Sequence, residues 1–426
     1  MIGSIATTIL NITDTAFLGR IGEAELGASA IGGILYFVLV MIGVSIGTGA
    51  QILIARRAGE KDHPSIGAIF DQSFLILTGL SVILFFILKY VLVAVLPYMI
   101  NDQAVLQATD EFLSYRSYGL FFIMMATVFR SFFVGIAQPK IYGIYAFLMA
   151  AINMLLGYGL IFGHLGMPAL GIAGAGLASS IAEAMALLFL VLWTSSRPGI
   201  KEFQLFRFKS LSRSLNSKII ELSLPLVVQN ILSMGAWFIF FIFIEKIGKH
   251  ELAISNVVRG AYMIAMTPIW GFSVAANSMV SNIIGQDRKQ EVIQLVQRIL
   301  LMAFITTASM AVIMALFPTI VLGIFTTDDL LISDARISYF VVVLSMFFFS
   351  SAIVLISAVS GTGATRNALY IEIAAIILYM VYIYYTTFVR PSSVEVVWMS
   401  ELVYWTFIGT ASYLYIRGKK WKSISV

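Results

Sequence analysis

From end to end the chain alternates apolar runs with short loops marked by charge, Gly or Pro, and few folds can accept that pattern. The runs reach about 20 residues or more, the length a helix needs to cross the hydrocarbon core of a bilayer. In lipid every backbone N–H and C=O must be satisfied within the protein, so such runs fold as helices. They predict an all-α polytopic membrane protein with twelve transmembrane helices. The first six spans are read at 1–19, 26–55, 67–98, 112–136, 141–163 and 169–195. The second six are read at 219–246, 252–284, 293–325, 336–361, 367–388 and 396–416. Charged residues make up 12% of the chain, half of the roughly 25% typical of a soluble domain.

Several chemistries are excluded. With no Cys there is no disulfide framework and no thiolate site. His63, His164 and His250 are scattered near loops, which argues against zinc or haem. No GxxxxGK[ST] or HExxH pattern occurs, and the one GxSxG match, Gly43–Gly47, lies inside a long apolar run rather than at a strand-to-helix turn, so neither an ATP-driven pump nor a membrane-embedded enzyme is expected, and no cofactor beyond a coupling ion. The net charge of +5 does not indicate nucleic acid, because the basic residues sit in loops between spans. Arg56, Arg57, Lys61, Lys140, the 196–218 stretch, Arg288, Lys289, Arg366 and the tail share one side. By the positive-inside rule that side is cytoplasmic, with both termini, in a bacterial-type inner membrane. The first run starts at Met1 without a basic leader and contains Asp14, so it does not read as a removable signal peptide.

The two halves repeat. The segment from Phe17 to Ser29 aligns with Phe243 to Ser255 at an offset of 226 residues (Gly22 to Gly248). The same offset pairs Gln51 with Asn277, Gly59 with Gly285, Gly135 with Gly361 and Lys140 with Arg366. This divides the chain into six-helix lobes at 1–195 and 219–426 around a cytoplasmic linker at 196–218. Repeats with an even number of spans run parallel, related by a pseudo-two-fold axis along the membrane normal, the plan of many transporters. Pro225 has its counterpart before Met1, so the first span is expected to be truncated at its start.

Ionisable groups inside spans are costly, so each is a site candidate weighed against a packing role. Asp14 is the strongest, because Thr7, Asn11 and Asp14 share one helix face and offer oxygens to a proton or a hard cation such as Na⁺. Glu372, followed by Tyr379 and Tyr382, and Glu183 are balanced between function and structural hydrogen bonding. Arg259 lies about two turns inside its span and could pair with a carboxylate or line a pathway. Asn153 is a mid-span amide. Ser179 and Ser180 close the small-residue run from Gly171, whose glycines read first as close helix packing.

These residues resemble a known family. The sequence Asp14-Thr-Ala-Phe-Leu-Gly19-Arg-Ile-Gly22 looks like the first-helix motif of multidrug and toxic compound extrusion (MATE) transporters. Arg116-Ser-Tyr-Gly119, Gly135-Ile-Ala-Gln-Pro-Lys140, Asn153 with the Gly163 segment, Gly171-Ile-Ala-Gly-Ala and Gly361-Thr-Gly-Ala-Thr-Arg366 extend it over nearly the whole chain. The resemblance implies a monomeric exporter of cationic or amphipathic drugs, driven by inward H⁺ or Na⁺ through alternating access. It implies a coupling-cation site at Asp14, Asn153 and Ser179. The Asp expected four residues after Asn153 is Gly157, and an acid expected near the Gly361 motif is Ala364. Glu372 is then expected to replace the lost second-lobe acid, with Tyr379 and Arg259 near it. One carboxylate at the first site favours H⁺ over Na⁺, since fewer charged oxygens compensate dehydration. A lipid-linked saccharide flippase of the same superfamily is the alternative, disfavoured by the few intramembrane cations.

Overall fold

A computed structural model describes residues 13–208, 212–418 and 420–424. Thr7 and Asn11 of the predicted first-helix face lie outside the described residues. The described chain is almost entirely helical. Residues 13–18 form α1. There follow α2 (Glu23–Glu60), α3 (His63–Met99), α4 (Gln103–Arg116), α5 (Gly119–Gly135), α6 (Pro139–Phe162) and α7 (Gly171–Ser196). The second half holds α8 (Arg213–Ile247), α9 (Lys249–Gly285), α10 (Lys289–Leu316), α11 (Pro318–Gly323), α12 (Asp329–Gly361), α13 (Thr365–Val389), α14 (Val394–Trp398) and α15 (Ser400–Arg417). Among the described residues nine helices are long and apolar enough to cross a membrane, and α4 with α5 makes a tenth span bent by 49°. Residues 13–18 and α15 take the places of the first and last predicted spans.

Three boundaries differ from the sequence reading, each for a local reason. The fourth span begins at Gln103 rather than 112, because its first turns carry Gln103, Asp110 and Glu111 and fall outside an apolar window. The ninth stops at Leu316, where Pro318 opens the short α11. The basic stretch after α7 opens with a short 3₁₀ helix at Pro198–Phe203, continues as a loop through 204–208, and is helical again from Arg213. That loop is held by α3: the Asp71 carboxylate accepts from the backbone N–H of Phe206 at 2.6 Å and of Phe208 at 2.7 Å. Two unpaired backbone donors are thereby satisfied by one acid, which explains an aspartate inside an apolar helix.

Two compact units form, Met1–Ser223 and Leu224–Val426, and the division falls inside α8 two residues before Pro225. Within each unit the same pairs of helices pack in the same chain order. The repeat extends to single contacts at the 226-residue offset. Asp102 caps the backbone of Ala104 and Val105, and Asp328 caps Leu330 and Leu331. The Phe17 and Phe162 rings meet edge-on at 5.6 Å, and Phe243 and Phe388 do so at 5.0 Å. Ser131 donates to the Gly47 carbonyl, and Ser357 pairs with Ser273.

Candidate functional site

In the first unit the close approach of α7 is built by glycine. A Cβ on Gly174 would lie 2.4 Å from the Leu160 carbonyl oxygen, and one on Gly176 would lie 2.6 Å from that of Phe112. The small-residue run therefore packs α7 tightly on α6 and α4. This contact brings polar side chains together in the unit interior. Asn153 of α6 donates through Nδ2 to Ser179 Oγ of α7 at 2.8 Å, and both side chains are buried. One residue on, Ser180 Oγ donates to the Tyr115 carbonyl at 2.9 Å, where the bend between α4 and α5 frees that group from its helix.

One turn after Ser179 lies Glu183, and it is ion-paired. Arg116 donates to it through both terminal nitrogens, at 2.6 and 3.0 Å. Tyr36 OH donates to the same carboxylate at 3.0 Å, and the Arg116 guanidinium lies 3.6 Å from the Tyr36 ring centre. Gly119 makes the space: a Cβ there would fall 2.3 Å from both Arg116 Nη1 and Glu183 Oε2. A two-pronged, ring-stacked guanidinium is the geometry in which Arg is most specific.

Asp14 belongs to the same region. Phe17, about one turn further along α1, packs against Tyr158 and Phe162 of α6. Its repeat counterpart Phe243 packs the same way on Phe388, with Tyr384 and Phe388 adjacent like Tyr158 and Phe162. At the same offset Asp14 corresponds to Phe240 and Asn153 to Tyr379, and those two rings stack at 6.1 Å. The first unit thus carries a carboxylate and an amide where the second carries two aromatic rings.

The second unit holds its own buried acids. Glu372 of α13 accepts from Gln229 Nε2 at 3.3 Å, from Ser233 Oγ at 2.5 Å, and from Tyr404 OH. Glu401 of α15 accepts from Tyr262 OH at 3.1 Å, Tyr379 OH at 3.2 Å and Trp405 Nε1 at 2.8 Å. All these donors are neutral. The Tyr379 and Tyr404 rings, 5.2 Å apart, join the two acids into one cluster. Tyr379 is therefore in the cluster, but its bond goes to Glu401 rather than to Glu372. Arg259 is not part of it: the residue is exposed and its guanidinium sits 4.9 Å from the Phe241 ring. An exposed cation that stacks on a ring keeps hydration a buried carboxylate could not supply.

The MatE model matches residues 1–159 and 225–385, both repeats in order. The chain belongs to the MatE family. Among similar sequences, "Probable multidrug resistance protein NorM" of Thermotoga maritima is 22% identical over 376 residues, 88% of this chain and 80% of that protein. The protein of the same description from Agrobacterium fabrum is 25% identical over 281 residues, covering 65% of this chain and 60% of that one. Among solved structures, an outward-facing multidrug resistance MATE family transporter of the MOP superfamily superposes with a TM-score of 0.91 at 17% identity, covering 98% of this chain and 92% of that one. A MOP superfamily transporter from Pyrococcus furiosus, described as suggesting a different function from the reverse polarity of its binding pocket, gives 0.90 at 17% identity, covering 98% and 92%.

Against this MatE background the departures have structural consequences. Gly157, where a second acid was expected, faces the Phe17 ring, and a Cβ there would lie 3.6 Å from it. Arg116, Tyr36, Glu401, Tyr262, Tyr404 and Trp405 were not singled out as site candidates from the sequence. Tyr36 and Tyr262 stand at the repeat offset, and each donates to a glutamate of the last helix in its unit, a correspondence available from the sequence.

Proposed function

We propose that this MatE protein is a proton-coupled antiporter that exports cationic or amphipathic compounds by alternating access, as a monomer in the cytoplasmic membrane with both termini inside. The observation that supports this reading is the repeat: Asp14 corresponds to Phe240, whose ring stacks on Tyr379, the counterpart of Asn153, and Asn153 is bonded to Ser179. A single carboxylate there becomes neutral on binding one proton, and a neutral site can close in a low-dielectric bundle. With Gly157 supplying no second acid, the ligand set is poor for a metal ion, which needs several oxygens. A drug cation competes with the proton for the same charge, and that competition is antiport. The relatives named for multidrug resistance support the substrate class. The flippase alternative needs free cations for an anionic carrier, whereas Arg116 is already committed to Glu183. In the second unit Glu372 and Glu401, bonded only by neutral donors, are proposed to take up protons as well.

The test is ethidium movement in everted vesicles containing the protein. Imposing an acidic interior should drive accumulation at least several-fold above vesicles without it. Glu372→Gln should lower that rate by about tenfold, the loss expected when one buried proton-binding group is removed. No gradient-driven ethidium movement would contradict the reading.

A further inference from the structure

We infer that the last turns of α7 and the basic linker behind them form a binding site for one anionic phospholipid, its acyl chain laid along α7 and its phosphate held by Lys201 and Arg207. Met185, Leu188, Phe189, Leu192 and Trp193 recur at helical spacing on one face of α7 and line an open groove of about 500 Å³ that ends at Ser196. Leu187 and Leu190, on the opposite face, are buried within the unit. From Met185 to Ser196 the helix rises about 16 Å, roughly the depth of one leaflet of the hydrocarbon core. Beyond the groove lies a second hollow of about 260 Å³, lined by Thr194, Ser195, Lys201, Gln204 and Arg207 among others. Leu188, Leu192 and Ser195 stand at i, i+4 and i+7, so one stripe of α7 leads from the apolar groove to the polar hollow.

The charge of the hollow names the headgroup. Its lining holds two cations and no acid. The one acid between residues 196 and 208, Glu202, lies 3.2 Å from His63 instead. Arg207 Nη1 donates to Gln204 Oε1 at 3.1 Å, which orients the guanidinium, and the Arg197 guanidinium stacks on Trp193 at 4.2 Å where groove and linker meet. Thr194 is 4% exposed, and its hydroxyl has no hydrogen-bond partner among the described residues. A buried hydroxyl without a partner is uncommon, and a phosphate oxygen is an acceptor for it. The hollow is also held in shape. Asp71 binds the N–H groups of Phe206 and Phe208, the Phe206 ring meets Phe70 edge-on at 5.1 Å, and a Cβ on Gly67 would lie 1.9 Å from the Phe203 carbonyl oxygen. Basic pockets at the ends of membrane helices suit anionic headgroups. A phosphatidylcholine would bring its own cation against Lys201 and Arg207, whereas phosphatidylglycerol presents net negative charge.

The experiment uses purified full-length protein in phosphatidylcholine vesicles, with rising fractions of phosphatidylglycerol or phosphatidylcholine brominated on the acyl chains. Bromine quenches tryptophan at contact, and the part of the quenching that disappears in Trp193→Phe reports occupation of the groove. For the wild type that part should reach its midpoint at a fraction of brominated phosphatidylglycerol at least about tenfold lower than of brominated phosphatidylcholine, at about fivefold per cation. Lys201→Gln with Arg207→Gln should reduce the preference to about twofold or less. Lys201→Arg with Arg207→Lys keeps both charges and should keep the preference. Soluble glycerol 3-phosphate should not relieve the quenching, because it lacks the chain that fills the groove. Equal midpoints for the two lipids, no quenching that depends on Trp193, an unaltered preference in the double Gln variant, a preference lost in the charge-keeping variant, or competition by glycerol 3-phosphate would each overturn the inference.

Discussion

Asp14→Asn should abolish proton-driven export, lowering the gradient-dependent rate by more than about a hundredfold while folded protein stays in the membrane. The amide keeps the shape and both polar atoms of the side chain but cannot bind and release a proton. Asn153 and Ser179, the residues proposed to share its site, are neutral and bonded to each other, so neither can take over the charge. The coupling described above needs one group that alternates between charged and neutral, and in the first unit Glu183 is already engaged in an ion pair with Arg116. Facilitated downhill movement of substrate should survive in part, since removing the proton site removes the coupling and not the helices. The check is paired: gradient-driven ethidium transport together with size-exclusion behaviour of the purified variant.

Glu183→Ala should cause a large loss of stability in the first unit, about 3–5 kcal/mol, because it leaves the Arg116 guanidinium, on a side chain only 13% exposed, without its anion. For a unit of this size that corresponds to a fall in Tm of about 10 °C or more. Replacing both partners by apolar residues, Arg116→Met with Glu183→Leu, should restore most of the loss, as buried pairs are often no more stabilising than well-packed hydrophobic residues. Thermal unfolding in detergent, followed by the decay of the monodisperse peak, measures both. A double variant as unstable as Glu183→Ala would show that the pair stabilises the unit through more than mutual neutralisation.

The twelve spans and the repeat were legible because lipid imposes one rule on every segment: long apolar runs between charged loops. Boundaries were less so. The polar first turns of α4 lie beyond any apolar window, and the bend after Arg116 depends on Ser180 of another helix donating to the freed Tyr115 carbonyl. Asp14, Asn153, Ser179 and Glu372 stood out as polar residues in apolar surroundings, and the fold gives each a buried or partly buried place. What the sequence could not show is who partners whom. Glu183 and Glu401 look alike in the chain, yet one meets Arg116 and the other only Tyr262, Tyr379 and Trp405. Arg259 and Arg116 also look alike, and only the second is turned inward, because Gly119 and Gly176 let α4, α5 and α7 approach closely enough to enclose it. Partnership across helices is a tertiary property, and hydropathy carries no information on it.

The central claim is that export and inward proton movement are obligatorily linked through Asp14. The most direct measurement loads proteoliposomes with a pH-sensitive dye, establishes an acidic interior, and then adds ethidium outside. The wild-type protein should release interior protons as soon as substrate is added, at a rate that saturates with ethidium concentration, while the Asp14→Asn protein should hold the pH gradient unchanged. Wild-type vesicles that accumulate ethidium with no substrate-induced loss of the pH gradient, or Asp14→Asn vesicles that dissipate it at the wild-type rate, would contradict the account.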